Sequence, residues 1–66
     1  MKTKKEIVQG LIEANQEEIF RLEVVRDFNL ASDHKEAKVQ VDAANSQIKK
    51  SEVQVTWLKD HLKSLG

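Results

Sequence analysis

Two histidines follow aspartates in this chain, His34 after Asp33 and His61 after Asp60. A histidine oriented by a carboxylate is the usual general base of nucleophilic catalysis. On a helix, though, neighbouring residues point about 100° apart, so neither sequence-adjacent pair can close into a dyad. Ser32, Ser46, Ser51 and Ser64 have no base that the spacing brings to them, and cysteine and tyrosine are absent. The carboxylates Glu13 and Glu17 share a helical face at i, i+4, with Glu18 and Glu23 nearby, but no Glu-x-x-His or His-x-x-x-His pattern accompanies them. Arg21 lies at pairing distance from Glu17 and Glu18, which reads the acidic cluster as a solvated, ion-paired face. No glycine-rich phosphate loop occurs. These residues predict a chain that is not an enzyme and needs no metal or cofactor.

One charged grouping has binding potential. If the chain folds back on itself, Lys2, Lys4 and Lys5 come beside Lys59 and Lys63 and form a basic tip, a weak candidate anion site. Lysines near a helix C-terminus also simply complement the helix dipole. Lys+Arg and Asp+Glu each total 11, so the chain lacks the basic excess of a nucleic-acid binder. No apolar run reaches the ~20 residues that cross a bilayer, and the basic start MKTKKEIVQG has no apolar core behind it, unlike a signal peptide. With no cysteine, no disulfide is possible; a reducing, cytoplasmic setting is expected.

Long helices must position these groups. Proline is absent and glycine occurs only at Gly10 and Gly66, so little interrupts a helix. Thr3 and Glu6 form a capping-box pattern that starts helix 1, predicted over about 4–29. Its stripe runs Val8, Ile12, Asn15, Ile19, Leu22, Arg26, Asn29. A second stripe of Ile7, Leu11 and Ala14, with Val25 and Phe28 further on, is expected to widen the buried face. A turn follows over about 30–33, where Asn29 is placed to close helix 1 in a left-handed conformation and Asp33 or Ser32 to cap helix 2. Helix 2, over about 34–65, carries a seam spaced four and three: Ala37, Val41, Ala44, Ile48, Ser51, Val55, Leu58, Leu62, Leu65. Only Ser51 among them is polar, as in a coiled-coil heptad seam. One continuous helix of about 60 residues, about 90 Å long, is the competing reading. It puts Asp33 into the seam, whereas a turn explains the one-residue slip in phase.

The expected fold is therefore all-α: an antiparallel two-helix hairpin with heptad packing, associating into a four-helix bundle or larger helical oligomer. Facing helices set Val8 against Leu58, Ile12 against Val55, Ile19 against Ile48, and Leu22 against Ala44. Asn15 and Ser51 then share a layer and are expected to set the register by a buried polar contact, unless Ser51 bonds its own backbone. Apolar residues also lie on the helix backs. Val53 and Trp57 on helix 2, and Phe20 and Val24 on helix 1, are the candidate partner-binding residues, with tryptophan the strongest anchor. The seam alone is small for ordering 66 residues, so further burial by self-association is expected. The expected function is a structural or adaptor module acting by protein–protein contact. A small inhibitor that occludes a host protein, of the kind phages and mobile elements encode, is one alternative. A binder of a small anionic ligand between protomers is another. A heptad hairpin is shared by many unrelated proteins and carries no function by itself.

Overall fold

Thr3 starts the first helix as its side chain requires. The computed structural model describes residues 1–66, and α1 spans Lys4–Leu30. The Thr3 hydroxyl accepts from the Glu6 backbone N–H at 3.1 Å, and the Glu6 carboxylate accepts from the Thr3 N–H at 3.4 Å. Two of the N–H groups that a helix start leaves unpaired are satisfied in this way.

The other end of α1 closes differently from expectation. No residue adopts a positive φ. Asn29 is buried, and its amide donates to the Val25 carbonyl at 2.8 Å. A side chain satisfied by its own helix has no reason to leave it, and α1 continues to Leu30 with Ala31 as its right-handed cap. Ser32 likewise donates to the Phe28 carbonyl at 2.9 Å, so its hydroxyl helps end α1 and is not available to begin the next helix. That helix, α2, spans Ala37–Ser64 and has Glu36 at its N-cap with no side-chain cap hydrogen bond. Asp33 does not cap it.

The two helices fold back on each other as a hairpin. A single straight helix of this length would extend about 90 Å, whereas the Cα extents are 48 × 20 × 12 Å. The chain ends meet: a Cβ added to Gly66 would lie 3.2 Å from the Lys5 Nζ. Both predicted seams face inward. Val8, Ile12, Leu22 and Asn29 of α1 and Ala44, Ile48, Ser51 and Val55 of α2 are buried. The remaining seam positions, among them Asn15, Ile19, Arg26, Val41 and Leu58, are half-buried.

The packing is densest toward the chain ends, where Val8, Ile12 and Val55 form a cluster joined by Ile19, Leu58, Leu62 and Leu65. Nearer the loop the contact turns polar, and Arg26 donates to the Asn45 side-chain oxygen at 3.5 Å. That is the one hydrogen bond between the helices, since the backbone bonds all lie within a helix or a local turn.

The second stripe of α1 does not join the core. Ile7, Leu11, Val25 and Phe28 are all exposed. Each helix of a pair can press only one stripe on its neighbour, so residues flanking that stripe need a third element to cover them. The consequence shows in the surface. A compact 7.6 kDa chain exposes about 4,300 Å², and this hairpin exposes 5312 Å².

Candidate functional site

The helical repeat sorts the uncovered residues into two broad faces. On one flank of the α1 seam, steps of three and four link Ile7, Leu11, Ala14, Glu18, Arg21, Val25 and Phe28. Leu11 shares an open groove of about 440 Å³ with Asn15, Val53, Gln54, Trp57 and Leu58. That contact puts the Leu11 flank of α1 and the Gln54–Trp57 flank of α2 on the same side of the hairpin. Following α2 by the same steps adds Gln40, Ala43, Gln47, Lys50 and His61. This face is mostly apolar and amide-rich, with Glu18, Arg21 and Lys50 as the charges at its centre.

The opposite face is charged. Its α1 half carries Glu6, Glu13, Glu23 and Asp27, and its α2 half carries Lys38, Lys49, Lys59 and Lys63 together with Asp42 and Glu52.

Trp57 is the largest side chain on the apolar face. It is 62% exposed, and its ring stacks on that of His61 with centroids 5.0 Å apart and planes 10° from parallel. A second open groove of about 490 Å³ runs along its other side, lined by Lys49, Glu52, Val53, Thr56 and Asp60. The indole therefore stands as a ridge between two grooves, held upright by the imidazole.

The centre of the α1 flank holds the only charged pair on that stripe. Arg21 meets Glu18 through two nitrogens, with the Nε–Oε2 contact at 3.0 Å. The hydrogen bonds from Arg21 hold the Glu18 carboxyl below the ordinary carboxylate range against the opposing effect of desolvation, and the positive charge of Arg21 adds to the lowering. The same contact raises Arg21 above its usual value. Glu17, which the i, i+4 spacing also offered, is not its partner.

The other candidates distribute as follows. Val53 and Trp57 come together, lining both grooves. Phe20 and Val24 are exposed on α1 but lie elsewhere, because Phe20 is nine residues from Leu11 and so about 180° around the helix. The four residues thus make two patches.

The basic tip is splayed. Lys5 lines a small groove with Glu6, Gln9 and Leu62. Lys59 and Lys63 belong to the charged face, Lys4 to the apolar flank, and Lys2 precedes α1. Asn15 donates to the Leu11 carbonyl at 2.8 Å. It takes the within-helix bond that was weighed for Ser51, and no hydrogen bond joins the two residues. No three histidine, aspartate or glutamate side chains cluster so as to hold a metal ion.

The chain matches no protein-family model, no curated protein and no solved structure.

Two features of this face were not read from the sequence. Leu11 and its stripe were assigned to the buried side, and His61 was assigned no contact. The signal for His61 was present, since Trp57 and His61 are four residues apart and i, i+4 neighbours on a helix touch.

Proposed function

We propose that the chain is a non-catalytic protein–protein interaction module that works as a homo-oligomer. In this reading two hairpins pack their apolar faces together into a four-helix bundle with coiled-coil packing along each seam. The observation that carries it is the surface surplus. The hairpin exposes 5312 Å², about 1,000 Å² more than a compact chain of its mass. A stable protein interface removes about 800 Å² from each partner. The surplus is therefore of the size that one such interface covers, and Ile7, Leu11, Val25, Phe28 and Trp57 place much of the apolar part of it on one side.

The charged face, free in such an oligomer, is left to contact another protein. Its acidic α1 half beside a lysine-rich but mixed α2 half suits a partner of complementary pattern more than a polyanion. An anionic-ligand site between protomers has less support, because the five tip lysines diverge.

Sedimentation equilibrium at micromolar concentration tests the proposal. The expected mass is above the 7.6 kDa monomer, and Trp57 emission should shift to the red on dilution as the face is uncovered. A fully helical species at monomer mass overturns it.

A further inference from the structure

The apolar flank of α1 reads nearly the same from either end. Ile7 and Leu11 stand at one end, Val25 and Phe28 at the other, and the Glu18–Arg21 pair lies between them. From this pattern we propose that a second copy of the chain docks with its α1 antiparallel on α1, about a two-fold axis beside Glu18. The inference rests on the self-association just argued and specifies its pairing.

About that axis Ile7 packs on the partner's Phe28 and Leu11 on the partner's Val25, so apolar groups meet apolar groups. Ala14 falls opposite the partner's Arg21, where its small side chain leaves room for a guanidinium. Glu18 lies four residues, about 6 Å along the axis, from the level of the partner's Arg21. The two intramolecular pairs thereby merge into a ring of alternating charge, two carboxylates and two guanidiniums at the centre of an apolar interface. An isologous interface requires this kind of self-complementarity.

The second helix fits the same axis. With Ile19 and Ile48 at one level of the hairpin, the axis crosses α2 between Gln47 and Lys50. Trp57 then lands on the partner's Gln40 and Ala43, and alanine supplies the space that an indole needs. The alternative pairing, α1 on the partner's α2, sets Leu11 between the partner's Gln54 and Trp57 and Val25 between its Gln40 and Ala43. Glu18 then meets the partner's Lys50, a contact that reversing both charges of α1 would turn repulsive, and Arg21 meets no partner carboxylate. The face has room for the proposed pairing: its extents of 48 by 20 Å accommodate the ~800 Å² per partner of a standard interface.

Charge reversal tests the pairing. Glu18→Arg makes the central ring wholly basic and Arg21→Glu makes it wholly acidic. Each variant alone should weaken self-association at least about tenfold, because like charges at an interface repel. An equimolar mixture of the two should recover an oligomer containing both chains, resolved by native mass spectrometry, and that recovery shows that neither variant is simply unfolded. The double reversal Glu18→Arg/Arg21→Glu should associate as the wild type does. If both single variants keep the wild-type dissociation constant, or the mixture fails to recover, the pairing is overturned while self-association stands. A wild-type chain at monomer mass overturns both.

Discussion

The two broad faces of the hairpin are built from the same two helices and differ only in rotation about them, yet one is mostly hydrocarbon and amide and the other sets an acidic α1 half beside a lysine-rich, mixed α2 half. Leu11 and Phe20 show how little separates the two. Both are large, apolar and exposed, at 48% and 68%, and both stand on α1. Leu11 has Trp57 beside its groove and Ile7, Val25 and Phe28 along its stripe. Phe20 has Glu23, Asp27 and Gln16 along its own. An exposed apolar side chain acquires meaning from its neighbours on the stripe, because a scattered one is normal and a contiguous set is not.

The largest expected effect breaks this contrast directly. Leu11→Glu should raise the dissociation constant of the oligomer by about 30-fold or more, as loss of an interface anchor worth ~2 kcal/mol does. Phe20→Glu should change it less than about twofold, as a substitution outside the buried interface does. Sedimentation of both variants decides the matter. Equal losses would mean that the faces do not differ in role.

Trp57→Ala sharpens the comparison from the other helix. The indole is mostly solvent-exposed in one hairpin, so its removal should spare helicity and leave the core cluster of Val8, Ile12 and Val55 intact. Association should weaken by about tenfold. A steep loss of helicity at concentrations where the wild type is already monomeric would place the tryptophan in the fold and not at the interface.

A smaller effect is expected beneath the face. Asn15 satisfies its amide on Leu11 of its own helix, so it carries no cross-helix bond that a substitution could break. Asn15→Leu should raise the unfolding free energy by ~1 kcal/mol through added burial and keep a single oligomeric species. Mixed species in sedimentation would restore a register-setting role to that position.

The smallest effect concerns Glu18. Its pKa is lowered by the Arg21 hydrogen bonds, so whatever the pair contributes is present above the ordinary carboxylate value of 4.5. It is lost as pH falls through the lowered folded value. An NMR titration should place the Glu18 midpoint below 4.5, and Arg21→Gln should return it toward that value. A midpoint at or above the ordinary value in the wild type counts against the pair in solution.

Much of the fold was legible because the seam repeats. A spacing of three and four sustained from Ala37 to Leu65 admits few readings other than helix on helix, and Thr3 with Glu6 needs only local geometry to form a cap. What escaped depends on choices among equivalent local bonds. Asn29, Ser32 and Asp33 each had a turn role by residue type, but Asn29 and Ser32 spend their side chains on carbonyls one turn back. The loop therefore runs on to Glu36. The site was legible only in part. Periodicity shows that Ile7, Leu11, Val25 and Phe28 share a stripe, but whether a third element covers that stripe is a property of the number of helices. That Trp57 and Val53 lie together follows from their spacing on one helix. Their separation from Phe20 and Val24 required knowing which flanks the hairpin turns to the same side.

The single side-chain bond between Arg26 and Asn45 has a kinetic corollary. Swinging α2 away from α1 about the 31–36 loop ruptures no backbone hydrogen bond, because none joins the helices. Amide hydrogen exchange should therefore be blind to that motion and should follow the fraying of each helix separately. It should run slowest in the middle turns and faster at the start of α2, where Glu36 offers no cap, than at the boxed start of α1. A hinge that protects its amides while open can meet a second chain with both helices already formed.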